Sequence, residues 1–355
     1  MNGSRWHLNL SFVVLLASSP ALPGVLDCAL GTAKVSMLRE LKLPPTASFE
    51  EIRVAFEKLN KVLPDRSITV DARRLINEED WNKAVASGNK TPWLAYGEKT
   101  IYDWEAASKF VNNLDPNKSV TVTLLKEIHL EATKSLPFHG FEGRRLRLRH
   151  EKGILDKERF KEGLALAYKQ DRPVHGVPHE ELRGVFRSSN YDNIVHTGSS
   201  FDKDGNRFFT KAEKDAMIDN PFIGATERTF TKVGDDLFKG KVIYLNPQKV
   251  ALAVNEILLR TEMDLAKTKK LSEKVAVIQQ MKKDLISVHP FLDGNGRTIR
   301  LMEDLVLRRY GLPPSLFPNE SDILMSAAEA AEFTREHMIK YLNEHTDYAI
   351  KATRP

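Results

Sequence analysis

Between His289 and Arg300 the chain reads His289-Pro290-Phe291-Leu292-Asp293-Gly294-Asn295-Gly296-Arg297-Thr298-Ile299-Arg300. The imidazole of His289 is the group in this run that can take a proton from a hydroxyl near neutral pH. Gly294 and Gly296 free the backbone to turn tightly, so that successive N–H groups can point into one concavity and cradle an anion. Apolar residues then recur at helical spacing from Thr298 to Leu307, which makes the turn the opening of a helix. The orphan donors and dipole of a helix N-terminus favour phosphate. Arg297 and Arg300, at i and i+3, can lean toward the same anion, and their forked donors match phosphate oxygens. Asp293 is a hard oxygen ligand of the kind that shares Mg²⁺ with a nucleotide. Base, metal ligand and phosphate cradle together point to phosphoryl-type transfer from a nucleotide. A plain turn between two helices would need neither the base nor the paired arginines.

Several elements must hold that run in place. The stretch Leu271–Val288, with Val275, Val277, Ile278, Met281 and Leu285, predicts a buried central helix that ends at the loop. The helix after the loop should run to Tyr310 and stop at Gly311-Leu312-Pro313-Pro314. Pro247–Arg260 predicts a further helix, and Ser326-Ala327-Ala328-Glu329 caps a last one that continues to about Glu344. Upstream, Ser48-Phe49-Glu50-Glu51 is a capping box ahead of Ile52, Phe56, Leu59 and Leu63. Trp93, Tyr96, Tyr102 and Trp104 read as core anchors. Thr121–Leu136 is an amphipathic helix with Leu124, Leu125, Ile128 and Ala132 on one side, and His129 near them reads as a satisfied core or surface histidine. Arg144–His150 alternates charge with leucine and predicts a basic edge strand.

Residues 188–240 read as a loop-rich insertion with a hairpin turn at Asp204-Gly205. Asp202, Asp204, Asn206 and Glu213 have partial EF-hand spacing, but Arg207 stands where that loop needs glycine, which excludes calcium there. Lys241-Val242-Ile243-Tyr244-Leu245 is a β-branched and aromatic strand that ends at Asn246-Pro247.

The chain has 355 residues, 41% of them hydrophobic and 28% charged, with a net charge of +5. That length suffices for two domains or for one with large elaborations. The charge permits an anionic substrate, while no aromatic–basic alternation or zinc-finger spacing supports nucleic-acid binding. One cysteine, Cys28, excludes an intramolecular disulfide and any cysteine-rich metal site. Arg5 precedes the apolar run Leu8–Ala17, and Ser19-x-Ala21 offers a cleavage site, so residues 1–24 predict an export signal. The competing view is a cytoplasmic protein whose N-terminal helix is buried. The apolar run is too short for a stable membrane span, and Asp27 beside Cys28 spoils a lipid-attachment site.

The run from His289 to Arg300 fits H-x-F-x-[D/E]-G-N-G-R-x-x-R at every fixed position and resembles the signature of the Fic family. Gly184-Val185-Phe186-Arg187 is similar to that family's G-x-[FYW]-R segment, and Lys241–Leu245 resembles its flap hairpin. The resemblance implies a mostly α fold, a Fic-type helical core with a small β-hairpin flap, joined here to a helical N-terminal region. It divides the chain into the signal at 1–24, a helical accessory region at 30–115 and a catalytic core at 120–345 carrying the insertion.

Family members mostly transfer AMP from ATP to a Ser, Thr or Tyr hydroxyl of a target protein. On that resemblance His289 is the general base and Phe291 anchors the loop. Asp293 binds the Mg²⁺ that bridges the phosphates, and Gly294, Asn295 and Gly296 form the cradle. Arg297 and Arg300 hold the phosphate chain. Val242 and Tyr244 clamp the target's backbone as an added strand.

The motif fixes phosphates but not the transferred group. UMP, phosphocholine or phosphate transfer, removal of AMP, and a catalytically idle binding module are therefore the competing readings. The family's inhibitory motif, [S/T]-x-x-x-E-[G/N], finds no match, because Phe138 and Glu158 precede Glu142-Gly143 and Glu162-Gly163 at the required spacing. An unrestrained enzyme, or one held by a separate inhibitor chain, is the expectation.

Overall fold

The computed structural model describes residues 34–62, 74, 86, 98–134, 156, 158–159, 183–187, 207–240, 242–291, 294–316 and 325–353. The expected signal, Cys28, Trp93, Tyr96, the basic run at Arg144–His150, the Asp202–Asn206 loop and the metal candidate Asp293 lie outside these residues.

Helix α1 (Phe49–Val62) starts as its capping box demands. The Glu51 carboxylate accepts from Ser48 N–H at 2.7 Å, and Ser48 Oγ accepts from Glu51 N–H at 3.3 Å. That bond to the Ser48 backbone holds the Glu51 carboxyl below its ordinary value. Helix α2 (Glu98–Asn113) buries Trp104. Helix α3 (Val122–Ala132) is capped by Thr121, whose side chain accepts from Leu124 N–H at 3.1 Å.

A small β region follows. Strands β1 (Arg207–Thr210), β3 (Phe230–Lys232) and β4 (Leu237–Gly240) form an antiparallel sheet of order β1-β4-β3. Helix α4 (Lys211–Ile218) follows β1 directly, with Thr210 and Glu213 closing a capping box. Glu213, one of the oxygen residues considered for calcium, is therefore committed to a helix N-terminus. Strands β2 (Ile223–Gly224) and β5 (Ile243–Tyr244) make a separate antiparallel pair. At Gly240 the chains approach so closely that a Cβ would lie 2.7 Å from the Thr229 carbonyl oxygen, which reserves that position for glycine. Phe209, Met217, Ile223, Ala225, Phe230, Val242 and Tyr244 form this region's own apolar cluster.

Four more helices follow among the described residues: α5 (Pro247–Lys267), α6 (Leu271–Val288), α7 (Asn295–Arg309) and α8 (Ala327–Thr353). Helix α6 is the axis, packed against α1, α5, α7 and α8. Its bounds match the predicted ones, whereas α5 and α8 both run several residues past theirs. One apolar core extends from Leu38 and Ile52 through Ile278 and Leu285 to Ile350. The described N-terminal helices thus share a core with the helices that carry the loop. Inside it, Lys282 on α6 and Glu303 on α7 lie 3.4 Å apart with both side chains 1% exposed. Gln279 donates to the same carboxylate at 2.7 Å. Removing one partner would strand a buried charge, so the pair fixes the register of α6 against α7.

The end of α7 is tied back by arginines. Arg308 donates to the carbonyls of Val111 and Leu114 where α2 ends. Arg309 forks onto Glu262 of α5 at 2.8 and 3.0 Å, and Glu262 also accepts from Val120 N–H. Burial opposes ionisation of Glu262, but the Arg309 and Val120 donors outweigh it and keep this carboxyl below its ordinary value. A depressed carboxylate stabilises the fold above its unfolded-state value, and that stability is lost as pH falls through its folded-state value. Urea titrations should therefore find Glu262→Gln less stable by about 1–2 kcal/mol at pH 7. The two proteins should converge as pH drops through the carboxylate range, and a pH-independent difference would exclude the ion pair as its source.

Candidate active site

Helix α6 ends on His289 itself. The His289 N–H caps the Leu285 carbonyl at 3.1 Å, and the residue takes φ 50 and ψ 62, the left-handed conformation. Among the described residues it is the one non-glycine with positive φ. That geometry ends the helix abruptly and turns the chain at Pro290 toward α7. The imidazole is braced by its surroundings. The Tyr244 ring stacks on it with centroids 4.2 Å apart and planes 11° from parallel. The side-chain nitrogen of Asn295 sits 3.2 Å from both ring nitrogens, a contact shared between them rather than directed at one.

Asn295 also clasps the loop. Its carbonyl oxygen accepts from Phe291 N–H at 2.8 Å, and its amide donates to the Phe291 carbonyl at 2.7 Å. The Phe291 side chain is fully buried, as an anchor should be. It stacks on His129 of α3 at 3.8 Å with the planes 10° apart, and meets Phe186 at 5.3 Å. His129 is itself fully buried, and its Nδ1 accepts from Gly184 N–H at 2.9 Å. That bond places the ring proton of neutral His129 on Nε2. The reading of His129 as a satisfied histidine agrees with this arrangement, but the neighbour it supports is the loop's own anchor.

Gly294, at φ 75, is the N-cap of α7, and its carbonyl accepts from both Thr298 N–H and the Thr298 hydroxyl. The helix N-terminus therefore stands next to His289 in space as well as in sequence. Arg297 donates to the Ala132 carbonyl at the end of α3 at 3.0 Å. Arg300 is 5% exposed and donates to the Arg74 carbonyl. Arg74 in turn forks onto Asp304 at 2.6 and 2.7 Å and donates to the Ser315 carbonyl. The structure thus gives the two arginines different carbonyls, at Ala132 and Arg74, instead of one shared position.

Three assignments change on this geometry. The Asn295 side chain is a loop clasp, so its part in an anion cradle falls to its backbone. Val242 is fully buried and Tyr244 is 6% exposed, both in the apolar cluster of the β region, so the side chains of both face inward. Ile243, 40% exposed, points outward between them. Sequence reasoning missed Arg74, which carries no distinguishing pattern, and it missed the part played by Arg187, which donates to the His289 carbonyl at 2.8 Å.

The Fic/DOC family profile matches residues 213–307 and so reaches back into the stretch read as an insertion. The protein adenylyltransferase fic-1 of Caenorhabditis elegans is 36% identical over 69 residues, 19% of this chain and 14% of that protein. A Fido domain-containing protein of Dictyostelium discoideum is 33% identical over 79 residues, 22% of this chain and 54% of that protein. The match thus spans about half of the second relative and a much smaller part of the first. A solved Fic domain containing signaling protein from Bacteroides thetaiotaomicron aligns over 90% of this chain and 96% of its own, at 12% identity and a TM-score of 0.37. Residues 213–307 thus match the Fic/DOC family, and residues 289–300 fall within that match.

Truncating the clasp and the anchor tests the local account. Phe291→Ala should cost about 3–5 kcal/mol by urea unfolding, since it empties a closed site. Asn295→Ala should cost about 1–3 kcal/mol through the unsatisfied Phe291 backbone groups. Wild-type stability in either variant would contradict these roles.

Proposed function

We propose that this protein transfers AMP from ATP to a Ser, Thr or Tyr hydroxyl of a target protein. The observation that carries the reading is the braced imidazole of His289 set directly before the N-terminus of α7, where two arginines emerge. In this scheme the target hydroxyl loses its proton to His289 as its oxygen attacks the α-phosphorus. The bond to the bridging oxygen breaks, and pyrophosphate leaves. The N–H groups of Gly294, Asn295 and Gly296 receive phosphate oxygens, and the Arg297 and Arg300 guanidiniums exchange carbonyl partners for phosphate. Holding the reactants at this place supplies much of the acceleration, because phosphoryl-type transfer asks mainly for positioning and charge neutralisation. The adenylyltransferase named among the relatives supports the same reading.

Mg²⁺ would be held by Asp293 together with the nucleotide, and it would neutralise charge on the phosphates. Among the described residues no group of three His, Cys, Asp or Glu could hold a metal ion. Ile243 on strand β5 of the β2–β5 pair is the outward side chain beside which a target segment would lie.

No helix among the described residues is long and apolar enough to cross a membrane. Residues 1–24 are proposed as an export signal, which the N-terminal mass of the protein recovered from its native host would test.

Incubation of a lysate with the protein and ATP labelled at the α- or the γ-phosphate tests the reaction. The α-label should reach protein and the γ-label should not. His289→Ala should lower transfer by about 10²–10⁴-fold. Transfer of the γ-label, a mass gain other than that of AMP, or full activity in His289→Ala would overturn the proposal.

A further inference from the structure

His289 holds a conformation that a non-glycine residue adopts at a cost on the order of 1–2 kcal/mol. Such a residue persists where its surroundings over-determine it, and here one side chain does much of this. Arg187 is 2% exposed and lies among backbone carbonyls at the end of α6. Its Nε donates to the His289 carbonyl at 2.8 Å, its Nη2 to Val288 at 3.2 Å, and its own backbone N–H to Pro290 at 2.9 Å. Three consecutive carbonyls, from Val288 to Pro290, therefore accept from a single residue. Nη2 also donates to the Leu245 carbonyl. Leu245 follows Tyr244, whose ring stacks on the imidazole.

The segment that carries Arg187 is pinned as well. Gly184, at φ 68, donates to His129, and the Phe186 ring meets Phe291. One planar fork thus joins the backbone of the base to the strand that supplies its stacking partner.

We propose that Arg187 is a positioning residue for the transfer reaction, setting the His289 imidazole against the Tyr244 ring by fixing the carbonyls on both sides. This rests on the transfer reading above. A plain helix cap would also satisfy orphan carbonyls and suit the dipole. The two roles part in their consequences: a cap affects stability alone, while a positioning residue affects the chemical step in protein that remains folded. Lysine keeps the charge but is a point donor and cannot reproduce the fork.

The test uses the full chain with Arg187→Lys and Arg187→Met. Circular dichroism and thermal unfolding report folding, calorimetry reports Mg-ATP affinity, and transfer from α-labelled ATP at saturation reports kcat. The ¹⁵N spectrum of the His289 imidazole reports its surroundings without any need for turnover. Arg187→Lys should fold, bind Mg-ATP within about twofold of wild type and lose kcat by about 10–100-fold. Its His289 ring signals should shift or broaden.

Wild-type kcat in Arg187→Lys, or a loss matched by an equal loss of Mg-ATP binding, would overturn the proposal. Failure of both variants to fold would do so too, because Arg187 would then be a residue of the fold alone. If the wild-type chain transfers no AMP, the reaction reading fails by itself. Unchanged His289 signals in folded Arg187→Lys would then refute the positioning role separately.

Discussion

The structure turns on the reversal of the chain at the end of α6, where His289 takes a left-handed backbone and Asn295 clasps both polar groups of Phe291. A helix that frayed at this point would let its last side chain swing freely. Here the helix stops on His289 itself, and the next helix opens within a few residues. The His289 imidazole and the N-terminus of α7 are therefore held together by one short loop. The strain of the reversal is offset by hydrogen bonds from Arg187 and by burial of Phe291, and neither group needs to touch a substrate.

Everything beneath the loop makes that reversal rigid. Helix α6 lies among four helices, so its C-terminus has little freedom to shift. The buried Lys282–Glu303 pair keys α6 to α7, and Arg308 and Arg309 tie the far end of α7 to α2 and α5. The β region contributes from the other side, where its small apolar cluster carries the Tyr244 ring to the imidazole. A strand expected to reach outward to a target thus first serves inward, as a support for the His289 ring.

Legibility in the sequence followed the strength of the local signal. The bounds of α6 were readable because an apolar period runs unbroken to a proline, and the capping boxes at Ser48 and Ser326 use side chains that lie within a turn of their partners. The strands at 207–240 were read as loops because each has two to four residues, too few to show alternation. Val242 and Tyr244 were read as a strand from their residue types, and the side they bury was not. Alternation shows that a strand has two faces, whereas the choice of buried face comes from Phe209, Met217 and Phe230, which are distant in sequence. Within the site, the residues of the motif were legible by type. Two of their contacts were not: Arg300 addresses the Arg74 carbonyl, and Asn295 turns its side chain into the loop. Both depend on which backbone groups arrive nearby, and that information is global.

The most direct measurement of the central claim is a crystal structure of the protein with Mg²⁺ and a non-hydrolysable ATP analogue. The account predicts phosphate oxygens on the N–H groups at the start of α7, with the His289 imidazole facing the α-phosphorus across room for one hydroxyl. A triphosphate bound elsewhere, or one with the imidazole turned away from it, would contradict the account.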